Sequence, residues 1–207
     1  MEGYLCMEIK EFQIKDSKHA IQFSVIGMNF DLYLSNTWLR KLYGRYVWYL
    51  ALNRATQIIA AYEGNTLAGI LLAEMDGERP TYNFKRNICY IKSFEFVQNM
   101  FFKDSAAAYE EVNKAMFEKY RETNTPHGEI IFFAANPDMK NRGIGTMLLA
   151  ELERREKGKQ IYLYTDTDCT YQFYESKGFT KVGETHTQLD FWGKKKNMVC
   201  LLYSKTL

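Results

Sequence analysis

Apolar positions along the chain change period several times, and each change marks an element. In MEIKEFQIKD, Ile9, Phe12 and Ile14 alternate loosely among charges, the pattern of an edge strand. Asp16 or Ser17 then offers a helix cap, and Ala20, Phe23 and Ile26 follow at helical spacing. The stretch NTWLRKLYGRYVWYLALN sets Trp38, Leu42, Tyr46 and Tyr49 on one helix face, an aromatic stripe suited to core packing or to a pocket wall. TQIIAAYE and TLAGILLAEM, separated by Gly-Asn, predict an antiparallel hairpin. Residues 76–127 are the least regular part, apart from a helix carrying Ala107, Val112, Met116 and Tyr120, which Pro126 closes.

The last third is cleaner. GEIIFFAA reads as a buried strand, and Ile144, Met147, Leu148 and Leu152 recur as one helix stripe, with Glu151–Arg155 and Glu153–Lys157 on its exposed face. QIYLYTD is a second buried strand, DCTYQFYESKG a short helix ended by Gly178, and FTKVGETHTQLDFW and NMVCLLYSK are strands joined by a GKKK turn. Strand, helix, strand, helix, strand predicts an α/β domain with an antiparallel hairpin at its end.

Composition narrows the classes. A length of 207 residues suits one domain over 1–207, and 46% hydrophobic with 25% charged residues is the balance of a globular protein. A net charge of +2 supplies no strong field towards nucleic acid or an anionic membrane. Cys6, Cys89, Cys169 and Cys200 are scattered without metal spacing, so no metal site is expected and free thiols in a reducing compartment are. The N-terminus lacks the basic start and apolar core of a secretory signal, and no apolar run reaches the roughly 20 residues that span a bilayer. A cytoplasmic location is the expectation. Aromatics, with Tyr 15 and Phe 14, are numerous enough to line a pocket as well as fill a core.

The candidate chemistry begins at NPDMKNRGIGT. A strand delivers Lys140, Asn141, Arg142, Gly143, Ile144, Gly145 and Thr146 to the start of an amphipathic helix. The first amides of a helix have no intrahelical acceptor, the macrodipole makes that end partly positive, and glycine lets a ligand approach the backbone. A phosphate there would be held by N–H groups, with Lys140 and Arg142 as added cations. No lysine precedes Thr146, so the loop is not a P-loop, and Leu148 stands where a dinucleotide fingerprint needs its third glycine. A diphosphate cradle of another kind and a plain glycine turn both remain.

KNRGIG resembles the Q/R-x-x-G-x-G/A signature of the GNAT N-acetyltransferase superfamily, with Lys140 at its first position. DCTYQFYESKGF resembles the same superfamily's F/L-Y-x-x-x-G-F segment: Phe173, Tyr174, Gly178 and Phe179 match, while in the lead-in Asp168 stands for the usual asparagine and Tyr171 for the usual alanine. The resemblance covers 128–179. It implies a mostly antiparallel central sheet with a splayed strand pair, flanked by helices, and an enlarged insertion at 76–127 between the third and fourth strands. It implies acetyl-CoA as co-substrate, held by the loop from Lys140 to Thr146, by Asp168, and by the backbone of Phe133, Ala134 and Ala135, where an N–H near Ala134 or Ala135 would meet the thioester oxygen. Tyr174 is then the proton donor to the leaving thiolate, and Glu129, Glu74 and Asp166 are carboxylates available as base, with Glu129 and Glu74 the favoured pair. His127 and His186 are further candidates, although a lone loop histidine is usually a surface residue. The implied reaction is direct acetyl transfer to a primary amine of a small molecule or peptide, or, in a silent member, acyl-CoA binding as a regulatory or interaction module. Acceptor choice would fall to the helix around Trp38–Tyr49, to the insertion, and to the hairpin at 191–196. A homodimer is expected by analogy.

Overall fold

The computed structural model describes residues 6–32, 34, 36–101, 103–139, 142–191 and 194–207. Lys140, Asn141, Phe102 and the Trp192–Gly193 tip therefore lie outside the described residues, as do the side chains of 98–107 and 189–194. The strands are β1 (Met7–Lys10), β2 (Gln57–Glu63), β3 (Thr66–Met75), β4 (Gly128–Ala135), β5 (Gln160–Asp166), β6 (Thr180–Phe191) and β7 (Lys194–Thr206). The helices are α1 (Ser17–Gly27), α2 (Thr37–Arg54), α3 (Lys85–Phe101), α4 (Lys103–Arg121), α5 (Ile144–Arg155) and α6 (Gln172–Ser176).

The strands form one mixed sheet in the order β1-β2-β3-β4-β5-β7-β6. Every pairing is antiparallel except β4 with β5. The Gly64-Asn65 turn joins β2 to β3, with Gly64 at φ +60° as a tight hairpin needs. Alternation along the strands gives the sheet two apolar faces. One is covered by α5, whose Ile144, Leu148, Leu149 and Leu152 bury against Leu71, Ala73, Ile130 and Ile161. The other takes α1 and α2 through Phe23, Trp48 and Leu52 against Ile70, Leu72 and Phe132, while α4 brings Met116 and Tyr120 onto Cys200 and Leu202.

Leu148 is fully buried at the centre of the α5 contact. Its truncation leaves a cavity that a sheet-backed helix cannot collapse, so Leu148→Ala is expected to cost about 2–5 kcal/mol, read as a lower denaturant midpoint at unchanged slope.

Several expectations change here. Residues 76–127 carry two helices, α3 and α4, and α4 stops at Arg121, several residues short of Pro126. The buried face of α2 is Gly44, Trp48, Ala51 and Leu52, so Trp38 is 65% exposed, while Tyr46 and Tyr49 turn towards α3 and meet Phe94 and Tyr90. Asn36 caps α2 by accepting from the Trp38 amide at 2.8 Å. Asp16 makes no cap bond; it is buried and accepts from the Tyr62 hydroxyl at 2.9 Å. Lys194, Lys195 and Lys196 belong to β7, opposite Phe191, Asp190 and Leu189, rather than to the turn. On α5, Glu151 bridges to Arg155 as the spacing predicts, but Glu153 turns to Lys205 on β7.

Candidate active site

The parallel pairing of β4 and β5 ends almost where it begins. Only Gly128–Ile161 and Glu129–Tyr162 are in register. Past them β4 stays with β3 as far as Ala135–Gly69, while β5 stays with β7 as far as Asp166–Cys200. The two strands part, and the β5-facing edge of β4 from Ile130 onwards carries no strand. Ile130 pairs with Ala73 and Phe132 with Leu72, so Ile131 is a bulge just beyond the vertex.

The wide end of this gap is set by α5. A Cβ on Gly69 would stand 2.5 Å from Ile144 Cγ2, so Gly69, opposite Ala135, is the surface on which the first residue of α5 rests. Gly143 takes φ +73° to start the helix, and the first helical bond runs from Met147 N to Gly143 O at 3.0 Å. The amides of Ile144, Gly145 and Thr146 precede that bond, at the partly positive end of the dipole. Gly145 is needed for space: a Cβ there would lie 3.0 Å from the Phe173 ring. The Ile144 side chain is buried in the core, so that residue offers a ligand only its backbone, while Thr146 is exposed.

Phe173 meets Phe133 edge-on at 5.5 Å, and Tyr174 packs against Phe133 at 6.2 Å, Phe179 at 5.7 Å and Tyr203 at 6.3 Å. The motif helix α6 thus places Tyr174 on the α5 face, against the open strand. Its hydroxyl has no hydrogen-bond partner among the described residues. Burial, and the nearby Cys169, raise its pKa well above the ordinary phenol value, so the proton stays on oxygen at neutral pH.

The narrow end carries the carboxylates. Glu129 lies between Glu74 on β3 and Tyr162 on β5, and Arg54 reaches in from the last turn of α2. Arg54 Nε donates to Glu74 Oε2 at 2.8 Å and Arg54 Nη2 to Glu129 Oε2 at 2.9 Å, while the Tyr162 hydroxyl donates to the same Glu129 oxygen at 3.4 Å. Burial raises the Glu129 pKa above the usual carboxylate range against the pull of Arg54, and Glu74 adds to the rise. Asp166 serves structure: its Oδ1 accepts from the Asp168 and Cys169 amides at 2.8 and 3.1 Å, turning the chain into α6. His127 Nδ1 accepts from the Gln160 amide at 3.1 Å, and His186 lies on the outer strand beside Glu184.

Two expected ligand-binding side chains have protein partners. The Arg142 guanidinium is ion-paired with Glu63 on β2, with Nη1 donating to Oε2 at 2.9 Å. Asp168 is bridged by Lys196 at 2.7 Å, and its carbonyl accepts from Asn29 Nδ2 at 2.7 Å, which ties the α1–α2 connection and the final hairpin to the loop after β5. Lys140 and Asn141 lie outside the described residues. Sequence reasoning missed Arg54 and Asn29, because contacts spanning 75 or 139 residues leave no local pattern, and it read Lys196 only as part of a turn.

A parted parallel strand pair, a glycine-led helix start and the half-buried Tyr174 converge on one gap, the concave place where a ligand would sit. Residues 104–181 match the acetyltransferase (GNAT) domain model. The fold agrees with solved structures over nearly all of their length. A Pyrococcus horikoshii OT3 protein, PH1933, superposes at TM-score 0.56 with 16% identity, covering 98% of this chain and 100% of that one. A ribosomal-protein-alanine N-acetyltransferase from Brucella melitensis gives 0.54 and 16%, covering 97% and 99%. The PaiA N-acetyltransferase from Thermoplasma acidophilum, in complex with coenzyme A, gives 0.51 and 13%, covering 98% and 99%. No curated protein matches the sequence. Residues 104–181 thus match a GNAT acetyltransferase domain, within a fold shared with solved N-acetyltransferases.

Proposed function

We propose that the chain moves an acetyl group from acetyl-CoA to the primary amine of a small molecule or peptide, by direct attack within a ternary complex. The observation that carries this reading is the open edge of β4, which runs from the Glu129 vertex, past Tyr174, to the start of α5. In this reading the diphosphate sits on the amides of Ile144, Gly145 and Thr146, and the pantetheine arm takes the place of the missing strand along Phe133, Ala134 and Ala135. Lys140, Asn141, Arg142, Gly143 and Asp168 surround the diphosphate, with Arg142 acting as one half of its pair with Glu63.

An amine is protonated at neutral pH and is no nucleophile until it loses a proton. Glu129 takes that proton, and the freed nitrogen forms its bond to the thioester carbonyl carbon. A backbone N–H near Ala134 or Ala135 stabilises the oxygen as it gains charge. The carbon–sulfur bond then breaks, Tyr174 protonates the departing thiolate, and the second amine proton returns to Tyr174. Glu129 releases its proton to solvent, so each turnover yields an amide, a thiol and one proton. Two carboxylates facing one guanidinium leave the vertex net negative, which favours a cationic acceptor. Among the structural neighbours, one is an agmatine N-acetyltransferase and another is the Arabidopsis thaliana NAA60 protein, solved with a bisubstrate analogue.

The test is calorimetry with acetyl-CoA, followed by thiol release over polyamines, aminoglycosides, aryl amines and N-terminal peptides. Binding in the micromolar range, as typical Michaelis constants suggest, with release stimulated by one amine class, is expected. No binding heat and no thermal shift would remove the reading.

A further inference from the structure

Both hydrogen bonds that Glu129 receives, from Arg54 Nη2 and from the Tyr162 hydroxyl, end on Oε2. Oε1 has no hydrogen-bond partner among the described residues. Arg54 is the closing residue of α2, and through Glu74 and Glu129 it ties that helix end to two neighbouring strands at the point where β4 and β5 part. Glu74 stands one strand further from the gap, with 37% of its side chain exposed against 16% for Glu129. The two carboxylates named by the sequence therefore differ in place: Glu129 borders both the gap and the arginine, and Glu74 only the arginine.

Resting on the reading of Glu129 as the base, we propose that Arg54 is a positioning residue for the reaction. By anchoring Oε2 it fixes the Glu129 carboxylate at the vertex and leaves Oε1 as its one proton-accepting atom towards the amine. Glu74 holds Arg54 in that pose and does not touch the substrate. Guanidinium geometry suits the task, because its rigid fork reaches both carboxylates at once where a lysine would supply a point charge.

The titration of Glu129 reports the anchor. The groups around it are Arg54 on α2, Glu74 on β3, Tyr162 and Tyr164 on β5, Asp76 after β3, and Arg121 on α4 across Phe117, which packs on Tyr162. Burial and Glu74 push the carboxyl up, and Arg54 pulls it down. Without Arg54 the carboxyl must rise, so a higher pH is needed to ionise it and the acidic limb of the rate profile moves upward.

Carbon-13 NMR titration of the Glu129 carboxyl, assigned by its loss in Glu129→Gln, is the direct experiment, run on the wild type, Arg54→Met and Arg54→Lys. The midpoint is expected to rise by about one pH unit or more in Arg54→Met and by less in Arg54→Lys. The kcat/KM for the amine at neutral pH is expected to fall about tenfold in Arg54→Met, with the acidic limb displaced equally and KM for acetyl-CoA unchanged. Partial rescue by Arg54→Lys is part of the expectation, and that variant decides alone if Arg54→Met does not fold. An unmoved midpoint, an unmoved limb, or a loss shared with acetyl-CoA binding would overturn the proposal and leave Arg54 as a staple of α2. A wild type that transfers no acetyl group would contradict the function instead, while the titration still decides the anchor.

Discussion

Tyr174→Phe is expected to lower kcat by about 10²–10³-fold while acetyl-CoA binds as before, because positioned proton transfer contributes on that scale. The variant removes one oxygen and leaves the ring, so the contacts with Phe133, Phe179 and Tyr203 persist and the fold has no reason to loosen. The hydroxyl has no hydrogen-bond partner among the described residues, so its loss orphans nothing. Steady-state thiol release, with calorimetry as the binding control, separates the two effects. A rate within threefold of the wild type would take Tyr174 out of the chemistry and leave it as one ring in an aromatic wall.

Glu129→Gln is the second large effect. The amide keeps the shape of the carboxylate and can still accept from Arg54 and Tyr162, but it cannot take a proton. A fall in kcat/KM for the amine of about 10²–10³-fold at neutral pH is expected, easing as pH rises and more of the free amine is already deprotonated. The sign follows from the base: its work is needed only while the amine is charged. Glu74→Gln, which alters the arginine's partner and not the base, is expected to cost less than Glu129→Gln. Rates over a pH series for both variants provide the check, and equal losses at every pH would mean that the two carboxylates act only as a charged pair.

Much of the candidate site's geometry was legible in the sequence because its residues lie close together along the chain. The glycines at 143 and 145, the strand before them and the Phe173–Tyr174 pair lie in one run of residues whose spacing is fixed by a single strand–helix–strand–helix passage. The structure sharpens the reasons: Gly143 is there for its positive φ, and Gly145 for the Phe173 ring beside it. The partners of the charged groups were not legible. Arg54, Glu74 and Glu129 come from three elements, Arg142 closes on Glu63 from 79 residues away, and Asp168 meets Lys196 across the final hairpin. Periodicity also failed on α2, where four aromatic and apolar side chains share a stripe while the helix buries Trp48 and the small residues Gly44 and Ala51. Its mixed composition offers two apolar faces, one taken by the sheet and the other turned to α3. The helix α3 escaped notice for a related reason: Ile88, Tyr90, Phe94 and Val97 are crowded with other apolar residues, so no single face stands out before α2 is in place.

The central claim is that the acetyl group passes directly from sulfur to an amine nitrogen across the gap between β4 and β5, with no acetylated side chain between them. Acetyl-CoA labelled in its acetyl carbons, incubated with the protein and the amine that stimulates thiol release, tests it by mass spectrometry of both the amine and the protein. The expected result is one label on the amine per thiol released, with none on the protein at any time during turnover. Thiol release without labelled amine, or label passing first through a side chain such as Cys169, would contradict it.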